Sequence, residues 1–211
     1  MNIKQKIETY CTSNSSVEPN HLQELNKTTW LNTTNPRMLT GHLQGRFLAM
    51  ISKMMNPKLV LEIGTFTGYG ALCFAEGLSR GGKVISIEIN PEHAFKAKEF
   101  INKTEYKNNI DVIQMDGLGF LSQFKDKADI IYVDGEKRSY EKYILAGSNA
   151  LRKGGLLIFD NTLWGGKAIE KADNKDTEMM QEFNKSLQKS EEFETVMLPL
   201  RDGLSIARKL V

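Results

Sequence analysis

The sequence predicts an open, mostly parallel α/β sheet of seven strands, with helices on both faces and an antiparallel hairpin at its C-terminal end. Three observations carry this reading. From Leu59 onward, short apolar runs alternate with amphipathic helical stretches. Several of those runs are apolar almost throughout, as in strands covered on both faces. The last two runs flank an Asp-Gly pair, a hairpin signal.

The parallel strands are read at Leu59–Ile63, Val84–Glu88, Ile110–Met115, Ile130–Asp134 and Leu156–Asp160. Right-handed crossovers join such strands, so the intervening segments are expected to be helices. Asn90-Pro91-Glu92 offers an N-cap, a proline at the first helical position and an early acid. Ala71, Leu72, Ala75 and Leu78 form one apolar face, closed by Gly81-Gly82. Arg138 to Leu151 reads as a further helix, closed by Lys153-Gly154-Gly155. Lys171 to Glu194 reads as a charged, solvated helix with Met179, Met180, Phe183 and Leu187 on its inner side. The hairpin pairs Thr195–Leu200 with Leu204–Arg208 across Arg201-Asp202-Gly203. Residues 1 to 56 are expected to form a helical cap, with a loop around Thr33–Pro36, on a core of residues 57–211. Together they make a single domain.

Composition fits that picture. The 211 residues are 40% hydrophobic and 26% charged, which argues against disorder and fibres. No apolar run approaches the roughly 18 residues that span a bilayer. The run Met1–Lys6 is polar and lacks the apolar centre of a secretory signal, so a cytoplasmic location is expected. Cys11 and Cys73 sit in no metal or redox spacing. With 28 basic and 26 acidic residues well mixed, there is no sign of a phosphate-binding stripe, and nucleic acid is not the expected partner.

Glu62-Ile63-Gly64-Thr65-Phe66-Thr67-Gly68-Tyr69-Gly70 follows the first strand and opens a helix. Glycines there let the backbone turn sharply and approach a ligand beside a helix N-terminus. The spacing is not Gly-x-Gly-x-x-Gly, which counts against a nicotinamide dinucleotide. Glu88, followed by Ile89, ends the second strand 24 residues after Gly64. It can accept hydrogen bonds from both ribose hydroxyls of a nucleoside, or help cap the helix that starts near Asn90.

Asp134 ends the fourth strand and Asp160-Asn161 the fifth. Ligands of open parallel sheets bind beyond the carboxyl ends of the strands, so these side chains are expected to face one crevice. Two carboxylates and an amide oxygen form a hard donor set suited to Mg²⁺, Mn²⁺ or Ca²⁺. Acids at strand ends also simply cap loops, and spacing alone leaves both readings open.

These motifs resemble those of class I methyltransferases, more narrowly the cation-dependent O-methyltransferases that include catechol and caffeoyl-CoA O-methyltransferases. The likeness rests on Glu62-x-Gly64-x-x-x-Gly68-Tyr69, Asp134-x-x-Lys137, Asp160-Asn161-Thr162-Leu163-Trp164 and Met197–Gly203, and runs from about Met38 to the C-terminus. It implies a Rossmann-like fold, S-adenosylmethionine (SAM) as cofactor and a divalent cation, Mg²⁺ foremost, on Asp134, Asp160 and Asn161. It places Met38 and Thr40 over the methionine part of the cofactor, and Asp116-Gly117 at the adenine. Glu62, Gly64, Phe66, Tyr69, Gly70, Glu88, Ile89 and Asp134 complete the expected cofactor contacts. One departure stands out: the family commonly has serine after the motif tyrosine, where this chain has Gly70.

The resemblance also implies the chemistry. A catechol-like hydroxyl on a divalent cation is acidified and fixed in place. Lys137, beside Asp134, then acts as the base, made so by a neighbouring metal and partial burial. Met38, Lys137 and Trp164 are expected to touch a small aromatic substrate, although Trp164 fits ordinary packing equally well. Glu136 reads as a surface acid and His42 as a non-catalytic histidine. A homodimer is expected. Two alternatives remain: a methyltransferase of the same superfamily acting on hydroxyuridine in tRNA, and a non-catalytic SAM-binding protein.

Overall fold

A computed structural model describes residues 3–211; Met1 and Asn2, which open the polar N-terminal run, lie outside the described residues. In chain order the elements are α1 (Ile3–Ser13), α2 (Asn20–Asn32), α3 (His42–Met55), β1 (Leu59–Ile63), α4 (Tyr69–Ala75), β2 (Lys83–Glu88), α5 (Pro91–Ile101), β3 (Ile110–Gln114), α6 (Gly117–Gln123), β4 (Ala128–Val133), α7 (Tyr140–Ala150), β5 (Leu151–Asp160), α8 (Lys175–Lys189), β6 (Phe193–Leu198) and β7 (Leu204–Lys209). The seven strands run in the order β3-β2-β1-β4-β5-β7-β6, mostly parallel with the expected antiparallel pair at the end. Two compact units divide the chain: residues up to Lys58 with Thr65–Gln114, and Leu59–Gly64 with Met115–Val211.

In the first unit β2 and β3 pair in parallel, Val84 opposite Ile110 and Glu88 opposite Gln114. Every residue of α4 is buried, so this seven-residue helix forms by packing; it is too short to form alone. Asn90 caps α5 by accepting from the Glu92 and His93 amides, with Pro91 at the first helical position, as the local sequence signals. Asn56, in the left-handed conformation, closes α3.

In the second unit β1, β4 and β5 are parallel neighbours, and β7 and β6 follow antiparallel. Tyr132 pairs with Ile158 and Val133 with Phe159. The residues after Val133 and Phe159, Asp134 and Asp160, therefore leave adjoining strand ends together. Asn174 caps α8 through the Thr177 amide, and Met180, Phe183 and Leu187 are buried while Met179 is half-buried.

One local expectation is corrected. The helix begun near Arg138 ends at Ala150, and Gly154-Gly155 do not close it. The chain turns extended at Leu151 and enters β5 five residues early. Arg152–Gly155 bulge out of register, since Leu151 pairs with Ala128 and Leu156 with Ile130. Gly154 has φ +74°, so this glycine serves a strand bulge where a helix cap was expected.

Candidate active site

In the first unit the glycine turn is tied to β2 by a carboxylate. Phe66, itself at φ +49°, donates its amide to Glu88 Oε2 at 2.8 Å, and the Asn90 amide donates to Oε1 at 2.9 Å. Asn90, not Glu88, caps α5; Glu88 instead spans the turn and the strand end, with 7% of its surface accessible. Phe66 packs edge-on to His93, 4.9 Å between ring centroids. Tyr69 is buried and donates its hydroxyl to Glu18, and that burial holds the phenol well above its usual range. His42 Nδ1 lies 3.8 Å from the same carboxylate, and Thr40 is buried two residues before it. Met38 and Ile89 are exposed, and Gly70 lies in the first turn of α4.

The second unit holds the remaining candidates. Glu62 is buried in β1, and Gly64 follows with φ +99°. A methyl group on Gly64 would stand 2.6 Å from the Asp134 carbonyl oxygen, so only glycine lets the two loops touch. Asp116 caps α6, accepting from the Gly119 amide at 2.7 Å, and Gly117 lies against Ile63 and Tyr143.

Beyond β4 and β5 the geometry is tighter. Lys137 Nζ donates to Asp134 Oδ1 at 2.7 Å, with one fifth of each side chain accessible. Asp160 is 1% accessible; Tyr132 donates to its Oδ2 at 2.7 Å and the Asn161 amide to its Oδ1 at 2.7 Å. The Tyr140 hydroxyl donates to the Asp160 carbonyl at 2.9 Å, which fixes the end of β5 from below. Burial pushes the Asp134 carboxyl up, Lys137 draws it down and Asp160 raises it again, leaving it at about 6. Desolvation and these two carboxylates hold the Tyr132 and Tyr140 phenols neutral, well above their usual range.

The register thus brings Asp134, Lys137, Asp160 and Asn161 to adjoining strand ends. Among the described residues no group of three or more His, Cys, Asp or Glu gathers that could hold a metal ion; the candidate set at these strand ends is two carboxylates and the Asn161 side-chain amide. Two neighbouring carboxylates with an amide oxygen fit a hard divalent cation, whose charge would offset the burial and the repulsion that raise Asp134. Trp164, at φ +53° and half-buried, stands in the loop after Asn161. Tyr132, Tyr140 and the turn Arg201–Gly203 were not among the sequence candidates. A lone tyrosine in the aliphatic run of β4 was the one available signal.

An open α/β sheet with a glycine turn after its first strand, and with carboxylates gathered at the ends of its fourth and fifth strands, is the architecture of a methyltransferase-type fold. Residues 12–210 match the O-methyltransferase family. Caffeoyl-CoA O-methyltransferase 1 of Eucalyptus globulus is 32% identical over 205 residues, 92% of this chain and 83% of that protein. Among solved structures, an O-methyltransferase from Bacillus cereus in complex with SAH aligns with a TM-score of 0.88 at 22% identity, over 97% of both chains. A SAH-bound methyltransferase of Podospora anserina aligns with a TM-score of 0.91 at 23% identity, over 100% of this chain and 97% of that one. The chain belongs to the O-methyltransferase family, and its fold is theirs.

Proposed function

We propose that this enzyme transfers a methyl group from SAM to one of two vicinal hydroxyls on a small aromatic acceptor, with help from a divalent cation. The observation that carries this reading is the Lys137–Asp134 pair beside Asp160 and Asn161 at adjoining strand ends. The SAH named with the structural neighbours supports the choice of cofactor.

In this reading Glu88, already oriented by two backbone amides, accepts the ribose hydroxyls, with Ile89 alongside. Glu62, Gly64, Phe66, Tyr69 and Gly70 shape the turn under the cofactor. Met38 and Thr40 cover its methionine part, and Asp116 and Gly117 meet the adenine. Asp134, Asp160 and Asn161 hold the cation, Mg²⁺ in preference to Mn²⁺ or Ca²⁺. When bound there, such a cation supplies the charge that lowers the pKa of an acceptor hydroxyl. Lys137 Nζ accepts the hydroxyl proton in this reading, and the Asp134 carboxylate, 2.7 Å away, steadies the ammonium that results. Trp164 flanks the aromatic ring. Holding oxygen and methyl donor in line supplies much of the remaining rate.

The whole chain works as a single methyltransferase domain, residues 1–56 forming its helical cap. Its free thiols, Cys11 and Cys73, fit a cytoplasmic enzyme, and no described helix is long and apolar enough to cross a membrane. A homodimer fits the exposed Ile7 and Tyr10 of α1 and Met50 and Met54 of α3.

The test is Asp160→Ala. Methyl transfer to a catechol should be abolished while calorimetry still finds SAM bound within a few-fold of wild type. Retained transfer contradicts the cation mechanism, and absence of SAM binding in the wild type contradicts the cofactor.

A further inference from the structure

The loop after the candidate metal residues is held in an unusual conformation by the distant β6–β7 turn. Asn161, Trp164, Gly165 and Gly166 all have φ between +53° and +85°, a region that disfavours every residue but glycine. Such a run persists only where neighbours over-determine it. Here the neighbour is Arg201-Asp202-Gly203. Leu163 donates its amide to the Asp202 carbonyl at 2.7 Å, and Gly165 donates to the Asp202 carboxylate at 2.7 Å. Thr162 donates to the Gly203 carbonyl at 3.1 Å, and Ser205 bonds the Thr162 hydroxyl at 3.1 Å. A methyl group on Gly203 would stand 2.6 Å from the Leu163 amide nitrogen, so the two turns meet without a gap. The side chains of α8 act elsewhere on the loop: Asn184 on the Thr162 carbonyl, Gln181 on Ala168 and Glu170. Trp164 lies between the two residues that Asp202 binds.

We propose that Asp202 is a positioning residue for the acceptor: its carboxylate and carbonyl fix the Leu163–Gly165 turn, set the indole of Trp164 relative to Asp160 and Asn161, and thereby decide which of two vicinal hydroxyls is methylated. Asp202 touches no reacting atom. It acts through Trp164, and the claim about hydroxyl choice rests on the proposed function above. A charge-assisted hydrogen bond to a backbone amide is among the stronger single anchors a loop can have. Asparagine at position 202 keeps an acceptor oxygen for Gly165; alanine keeps none.

The experiment uses Asp202→Ala and Asp202→Asn in a Trp30→Phe background, which leaves Trp164 as the only tryptophan. Acrylamide quenching reads the indole directly. The ratio of the two monomethyl products of 3,4-dihydroxybenzoate, with SAM and Mg²⁺, reads the positioning. Asp202→Ala should raise the quenching constant about twofold and move the product ratio about fivefold toward unity, while Asp202→Asn stays near wild type on both. Asp202→Ser, too short to reach Gly165, carries the same expectation as alanine should that variant fail to fold. Unchanged quenching and product ratio in the alanine or serine variant overturn the proposal, as does an asparagine variant that behaves like alanine. A parent protein that methylates no catechol contradicts the acceptor class; the quenching comparison then still decides whether Asp202 fixes Trp164.

Discussion

At the scale of single residues, the strand ends hold a carboxylate whose charge burial disfavours and a lysine favours. Asp134 and Asp160 end neighbouring strands, and burial, with a smaller push from Asp160, lifts the Asp134 carboxyl to about 6 against the pull of Lys137. Replacing Lys137 by methionine should lower kcat by about 10²–10⁴-fold, with SAM affinity unchanged in calorimetry. Tyr132→Phe removes the donor that orients Asp160, so the cation concentration for half-maximal activity should rise by about 10–100-fold. Gly64→Ala forces a Cβ against the Asp134 carbonyl at φ +99° and should cost about 1–3 kcal/mol in a denaturant melt. Asp134, Asp160 and Asn161 were legible in the sequence because each closes an apolar run. Tyr132, Tyr140 and Asp202 were not, because their value lies in partners 20 to 40 residues away that only the sheet register brings near.

At the scale of elements, α3 and α4 are joined by a buried ionic clasp. Glu76, just past α4, accepts from Arg46 at 2.5 Å and from Lys53 at 2.9 Å, with 7% of its side chain accessible. Burial pushes the Glu76 carboxyl up, but these two hydrogen bonds outweigh it and hold the group below its usual value. Because the folded value is lowered, the clasp stabilises fully above the ordinary glutamate range and fades as pH falls through the lowered value. Glu76→Gln should therefore cost about 3 kcal/mol at pH 7, roughly 6–12 °C in melting temperature, and the difference from wild type should vanish in strong acid. A constant difference across pH would contradict the clasp. The start of α5 was well marked in the sequence by Asn90-Pro91, whereas the start of α8, four residues past Lys171, and the end of α7 were not. Gly154-Gly155 looked like a helix stop because glycine signals a left-handed residue without saying whether a helix or a bulge needs it.

At the scale of the molecule, strand alternation and the terminal Asp-Gly turn carried most of the architecture, since fully apolar runs and crossover helices leave few topologies. The sheet order then determines what no local pattern could: β5 has β4 on one side and β7 on the other, so the hairpin turn reaches the loop beyond Asp160. The family assignment gives methyl transfer to oxygen, and a divalent cation on Asp134, Asp160 and Asn161 is proposed to assist it. The most direct measurement is transfer of a labelled methyl group from SAM to 3,4-dihydroxybenzoate by protein stripped with chelator, then resupplied with Mg²⁺. Transfer that disappears with the chelator and returns with Mg²⁺, while SAM binding persists throughout, is the expected result; undiminished transfer in the chelator would contradict it.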